Sequence, residues 1–312
     1  MPHKDSSFIS RLPVELLLAV KESIGDCDLR THVCFYNTCR RVAALYDRDG
    51  ENIWELLCRH VGLGLLHEET RHREEISWKK IAFDCIAEDG FCSHPLCGTR
   101  RLTENARSMQ EAIRKWGMKF LDSGKAYKPD SRLQGVIINP VFEHIGFQLG
   151  HPLQMQFPTE DDAFLHCDDI PGYPQARRTL CKHPIAYRSF ATFPPLRWMT
   201  LLISPALEYD LLNHSGVTVY DIELDLRADL DRSLTVIDLQ ELLEGTFRHD
   251  IFMPEANGME ILNYTTVRKL WEISRWDGFE QDDEDPYQFW AKFSPLDDAT
   301  DDEEAQSDAD AA

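Results

Sequence analysis

Leu12-Pro13-Val14-Glu15-Leu16-Leu17-Leu18-Ala19-Val20-Lys21-Glu22-Ser23-Ile24-Gly25 is the stretch on which the reading of this chain turns. Proline at the first helical position costs nothing, because that N–H has no intrahelical partner. Leu16, Leu17, Val20 and Ile24 then recur at helical spacing and make an apolar stripe. Gly25 stops the helix, and Asp28 is placed to cap the next one.

Leu29, Val33 and Tyr36 continue the helical pattern, and a third short helix is expected from about Cys39 to Leu45. Asp47-Arg48-Asp49-Gly50 signals a turn, after which Ile53, Trp54, Leu57 and Val61 mark a further helix closed by Gly62. Residues 76–89 place Trp78, Ile81, Ala82, Cys85 and Ile86 on one side of a helix. Glu104 to Leu121 reads as a long amphipathic helix through Met109, Ile113, Trp116 and Phe120. Three short helices over some 40 residues cannot bury enough apolar surface alone. The leading unit therefore needs a further apolar surface, supplied by a partner or by the rest of this chain.

Beyond residue 130 the character changes. Leu133 to Asn139, Leu153 to Phe157, Ile185 to Phe193 and Leu196 to Ser204 read as strands between prolines. Val217, Val219, Ile222, Leu224 and Leu226 give mostly strand-like alternation, while Leu239–Phe247 and Gly258–Trp271 read as helices. The expected fold class is α+β: an all-helical start and helical linker, then a strand-rich α+β domain. The likeness of residues 218–224 to 235–242 is too short to be a repeat. The segment 297–312 holds eight acids, no base and no large apolar residue, so it reads as a dispensable disordered tail.

Composition excludes several function classes. The chain has 312 residues, 33 Lys+Arg against 54 Asp+Glu, and a formal net charge of -21, so no global attraction to nucleic acid or anionic membranes is expected. Residues 277–312 carry 14 of the acids and one base, leaving -8 for the rest. The amino-terminal residues lack a signal-peptide apolar stretch, and no run is long enough for a membrane span. Nine scattered cysteines suggest reduced thiols and a cytoplasmic or nuclear protein.

Catalytic signatures are sparse in this chain. There is no GxSxG elbow and no GxxxxGK[ST] loop, and Gly62-Leu63-Gly64 lacks the rest of a dinucleotide fingerprint. His67 and His72 stand five apart, whereas a zincin pair needs i, i+4, so a solvated polar segment is the simpler reading. Cys85, Cys92, His94 and Cys97 could surround a tetrahedral Zn²⁺. Yet no CxxC pair is present and Cys85 lies in an apolar helical stripe, so no bound metal and no cofactor are expected. Residues 95–135 are the most basic stretch, with nine Lys/Arg to four acids. Arg114, Lys115 and Lys119 are there the natural outer face of the long helix rather than a nucleic-acid site.

The opening residues resemble an F-box. That family begins Leu-Pro-x-Glu-Leu-Leu, matched by Leu12, Pro13, Glu15, Leu16 and Leu17, and continues at Val20 and Ile24. Asp28-Leu29, Cys39-Arg40 and the Trp54–Leu57 pair follow in the family's order. Val20 stands where the family often has Ile, and Val42 and Ala43 stand where it often has an aromatic after Cys-Arg. Residues from about 140 to 293 resemble a fungal domain of unknown function, through His151-Pro152-Leu153, Ile185-Ala186-Tyr187 to Pro194-Pro195, and Ile203-Ser204-Pro205. Thr235, Val236, Asp238 and Leu239 complete that likeness. It implies a small α+β domain and no chemistry.

The F-box resemblance implies a non-enzymatic substrate-recruiting adaptor of a cullin–RING ubiquitin ligase, an SCF-type complex. Its organisation would be an F-box at 8–60, a helical linker at 61–130, a recognition domain at 131–295 and an acidic tail at 296–312. The adaptor-binding set would be Leu12, Pro13, Glu15, Leu16, Leu17, Val20, Ile24, Leu29, Val33, Cys39 and Arg40. The partners would be a Skp-type adaptor, a cullin scaffold reached through it, and an unknown protein substrate. Two alternatives stay open: an F-box-like interaction module acting outside a ligase, and an enzyme with an unrecognised hydrolytic site in the second half.

Overall fold

A computed structural model describes residues 8–92, 98–116, 135–147, 163–165, 178–180, 183–204, 207–229, 232–233 and 274–295. The fold is α+β, with helices leading and sheets in the later region. A 3-10 turn, Phe8–Arg11, leads into α1 (Val14–Ser23), α2 (Leu29–Tyr36), α3 (Arg40–Asp47) and α4 (Glu51–His60). The short α5 (His67–Thr70), α6 (Trp78–Glu88) and α7 (Gly98–Trp116) follow. The expected strand at 153–157, the helices at 239–247 and 258–271, and the acidic segment 297–312 lie outside the described residues.

Side-chain chemistry sets the helix boundaries. The Thr31 amide donates to Asp28 Oδ1 at 3.0 Å, so Asp28 caps α2 as its sequence position predicts. Ser77 caps α6 by accepting from the Lys80 amide at 3.1 Å. Glu51 reaches the same end, accepting from the Ser77 hydroxyl and the Lys79 amide, each at 3.0 Å. Gly62 follows α4 with φ of 72°, a conformation that L side chains rarely adopt. A Cβ there would also lie 2.8 Å from the Phe193 ring and 2.9 Å from Asn105 Cβ.

One helical core joins residues from both sides of position 60. Leu17, Leu29, Val33, Val42, Leu45, Tyr46, Trp54 and Leu57 pack in a single cluster with Trp78, Ile81, Ala82, Cys85, Ile86, Leu102 and Ile185. At its centre the Tyr46 and Trp54 rings stack with centroids 5.2 Å apart. Tyr36 and Phe83 meet edge-on at 5.2 Å. Such contacts add roughly 0.5–1.5 kcal/mol per pair beyond area burial.

Among the described residues, the second region holds three small sheets. β1 (Ile137–Ile138) pairs antiparallel with β5 (Thr192–Phe193), and β2 (Ile145–Phe147), β3 (Ala163–Leu165) and β4 (Arg178–Thr179) form a three-stranded sheet. The largest sheet has the order β7-β6-β9-β8, built from β6 (Trp198–Ser204), β7 (Leu207–Leu212), β8 (Ser274–Gln281) and β9 (Gln288–Pro295). β6 and β9 run parallel and the other pairs antiparallel. β7 alternates buried Leu207, Tyr209 and Leu211 with exposed Glu208, Asp210 and Leu212, the signature of a half-buried strand.

Two expected strands are corrected. Ile185–Phe193 begins instead as the helix α8 (Pro184–Arg188), with proline at its first turn and Ile185 and Ala186 buried. Only Thr192 and Phe193 of that span join a sheet. The alternating run Val219–Leu226 is the helix α9 (Val219–Ala228). Val219, Ile222 and Leu226 fall at i, i+3 and i+7, and all three are buried. Thr218 and Asp221 make a reciprocal capping box at its start. That Thr-x-x-Asp signal was readable, but the period-two count of apolar residues masked it.

The helical layer and the sheet region are tied by backbone pairing and buried polar contacts. The Gly64 amide donates to the Arg188 carbonyl, and the Phe190 amide to the Gly62 carbonyl, both at 2.9 Å. Arg188 grips Glu69 through two bonds of 2.6 and 2.7 Å. Desolvation pushes the Glu69 carboxyl up, but the hydrogen bonds and charge of Arg188 win and hold it below the usual carboxylate range. Asn105 Nδ2 donates to Ser189 Oγ at 2.7 Å, and Asn139 Nδ2 to the Phe190 carbonyl at 2.9 Å. Asp221, held above the usual carboxylate range by burial, accepts from the His67 amide, Asn213 Nδ2 and the Thr218 amide at 2.7–2.9 Å. His67 and Glu69 are therefore docked on the later region, while Glu68, Arg71 and His72 of the same segment are exposed, as a solvated polar stretch would be.

Candidate interaction surface

The helix α1 has two apolar faces. Leu17 is buried, with Val14 and Leu18 packed partly against the helical core. On the other side Pro13, Leu16 and Val20 recur at i, i+3 and i+7 and face solvent, Leu16 with 52% and Val20 with 41% of its surface exposed. Phe8, in the preceding 3-10 turn, is 76% exposed. Of the five exposed large apolar side chains among the described residues, these three fall between positions 8 and 20; Phe91 and Leu212 are the other two.

The inner face of α1 is fixed to α3. The Lys21 ammonium donates to the Leu45 carbonyl at 3.4 Å, pairs with Asp49 and sits 4.6 Å from the Tyr46 ring centroid. The Tyr46 hydroxyl and His32 Nδ1 share a 2.8 Å hydrogen bond inside the bundle. Burial holds the His32 imidazole below its ordinary pKa, favouring the neutral ring. On the far side Lys79 bonds Tyr36 and pairs with Asp47 at 3.1 Å, its charge raised in pKa because these bonds outweigh desolvation. The outward stripe of α1 is thus carried by a helix anchored on its inner face.

The sequence-derived set of contact residues separates into three groups. Leu17, Leu29 and Val33 are 1%, 1% and 4% exposed and belong to the chain's own core. Leu12, Ile24 and Cys39 are half-buried, with Leu12 and Cys39 packed on that core. Pro13, Glu15, Leu16, Val20 and Arg40 are exposed. Helical spacing alone merges the two faces of α1, because Leu16 and Leu17 are neighbours in sequence, only about 100° apart around the helix, and packing alone leaves one exposed and the other buried. Phe8 was missed; its signal was an aromatic residue one turn ahead of a proline-started helix.

The candidate zinc set is not assembled by the described residues. Cys85 is fully buried in the helical core, where burial pushes its thiol up to about 12. Cys92 is half-buried, and His94 and Cys97 lie outside the described residues. Among the described residues no group of three or more His, Cys, Asp or Glu side chains is arranged to hold a metal ion. Among them, too, no helix is long and apolar enough to cross a membrane. No family model, curated protein or solved structure matches the chain.

Proposed function

We propose that this chain is an F-box-type adaptor subunit of a cullin–RING ubiquitin ligase. Its amino-terminal helices, 8–60, bind a Skp-type adaptor, and the 131–295 region recruits a protein substrate. The protein itself performs no chemistry in this reading. The observation that carries it is the second apolar face of α1: Leu16 and Val20 stay exposed although the helix is anchored on its other side. A helix apolar on both sides is one that is covered on both sides when functional. The family's leading motif, Leu12 to Leu17, lies on this same helix and its entry turn.

The test must keep the chain whole. Removing residues 8–60 would take Leu17, Leu29, Trp54 and Leu57 out of a core that also contains Trp78, Ile81 and Ile185. Substitution of the exposed face, Leu16→Asp with Val20→Asp, leaves that core in place. Recovery of a Skp-type adaptor and a cullin with the wild-type chain, and of neither with the variant, supports the proposal. Equal recovery by a folded variant rejects it.

A further inference from the structure

We infer that the corner between α1 and α2 is a pH-sensitive joint, closed while His32 and His60 are neutral and loosened when they take up protons. Asp26 lies in the turn between the two helices. His60, the last residue of α4, brings Nδ1 to 3.8 Å from Asp26 Oδ2, too far for a hydrogen bond. His32, on α2, is 3% exposed, and its Nδ1 shares a 2.8 Å hydrogen bond with the Tyr46 hydroxyl. His32 Nε2 and His60 Nδ1 are both buried with no hydrogen-bond partner among the described residues. In a charged imidazole both nitrogens carry a hydrogen, so each cation would hold a buried N–H without an acceptor.

The charges around the two rings do not offset this cost. Burial holds His32 below its ordinary pKa. Asp26, Asp28 and the nearby Gly25 carbonyl, which makes no hydrogen bond to Nε2, pull the other way, while Lys21 acts with burial. Burial likewise outweighs Asp26 at His60 and keeps that ring neutral. Asp26 is a weak counterion because its side chain is 65% exposed and screened by water. Tyr46 connects His32 to α1. The Lys21 ammonium lies 4.6 Å from the Tyr46 ring centroid and donates to the Leu45 carbonyl. A cation on His32 therefore sets a second positive charge against the group that anchors α1. His183 also has a bare Nε2, but its other nitrogen faces the buried Asp89 carboxylate at 3.1 Å, at the junction of α6 and α8.

The joint rests on no part of the adaptor reading, although the helix it loosens is the one that carries Leu16 and Val20. Both folded imidazoles lie below their ordinary value of 6.5, so the unfolded chain binds more protons there. The stability they permit is complete above that value and is lost as pH falls through it towards the folded values. The test uses the full chain, unfolded in denaturant between about pH 7.5 and about pH 5.5. The slope of the logarithm of the folding constant against pH counts the extra protons bound on unfolding. His32→Asn with His60→Gln should remove up to about two protons from that slope, one per ring. Asparagine can still bond the Tyr46 hydroxyl and takes up no proton. Corrected for intrinsic exchange rates, the amides of α1 and α2 should lose hydrogen-exchange protection on acidification in the wild type and keep it in the variant. Where the double variant does not fold, NMR titration of the wild-type imidazoles decides, with His32 and His60 both expected below 6.5. Equal slopes in the two proteins, unchanged protection of α1 and α2, or either imidazole titrating at its ordinary value or above would each overturn the assignment.

Discussion

Replacing Leu16 and Val20 together by alanine should weaken binding to a Skp-type adaptor by roughly twentyfold while leaving the fold intact. Leu→Ala removes three carbons and Val→Ala two, each worth about 0.8 kcal/mol when taken from water into a contact. Only the exposed share can be gained on binding, 52% for Leu16 and 41% for Val20. The pair then contributes about 1.2 and about 0.7 kcal/mol, or about 1.9 kcal/mol together. At about 1.4 kcal/mol per factor of ten, that is a loss of some twentyfold in affinity. The assay is calorimetric titration of the purified full chain with a Skp-type adaptor, alongside thermal unfolding. An affinity within twofold of wild type, with unfolding unchanged, would show that this face is not the contact surface. A large fall in unfolding temperature would refute the placement of these side chains on the outside.

Leu17→Ala should do the opposite of the exposed pair. Its side chain is 1% exposed in the helical core, so it should destabilise folding by about 2–5 kcal/mol, read by denaturant unfolding. Glu69→Gln should cost about 1.5–3 kcal/mol near neutral pH by removing the charged partner of Arg188. Because the folded Glu69 pKa is depressed, this contribution is present above the ordinary carboxylate pKa and is lost as pH falls through the folded value. The stability gap between wild type and Glu69→Gln should therefore close in acid; a gap independent of pH would contradict the ion pair. Gly62→Ala should lower stability by at least about 1–3 kcal/mol from overpacking alone, since the new methyl meets Phe193 and Asn105. An unchanged unfolding midpoint would mean that the two regions do not close at this point.

The positions of the leading helices, and the residues that begin and end them, were legible without any tertiary contact. Those signals are local: Pro13 as the N-cap that opens α1, Asp28 as a cap, Gly62 after a helix end, and apolar residues at three- and four-residue spacing. The sequence also located β6, because Trp198–Ser204 is an apolar run flanked by turn residues. Local pattern failed at α8 and α9, where short apolar segments satisfy both periods and only the surroundings choose. For α9 the choice follows from the reciprocal bonds of Thr218 and Asp221 and from the docking of Asp221 on residues 67 and 213.

Which side of α1 is turned into the chain's own core follows only from packing. Leu16 and Leu17 are adjacent and chemically identical, yet one is 52% exposed and the other 1%. Burial depends on what lies opposite, here the cluster around Tyr46, Trp54 and Trp78, which are far from Leu17 in sequence. The pairing of Asp89 with His183, 94 positions apart, was equally invisible in the sequence. No spacing rule links two residues brought together by the packing of α6 against the segment that opens α8.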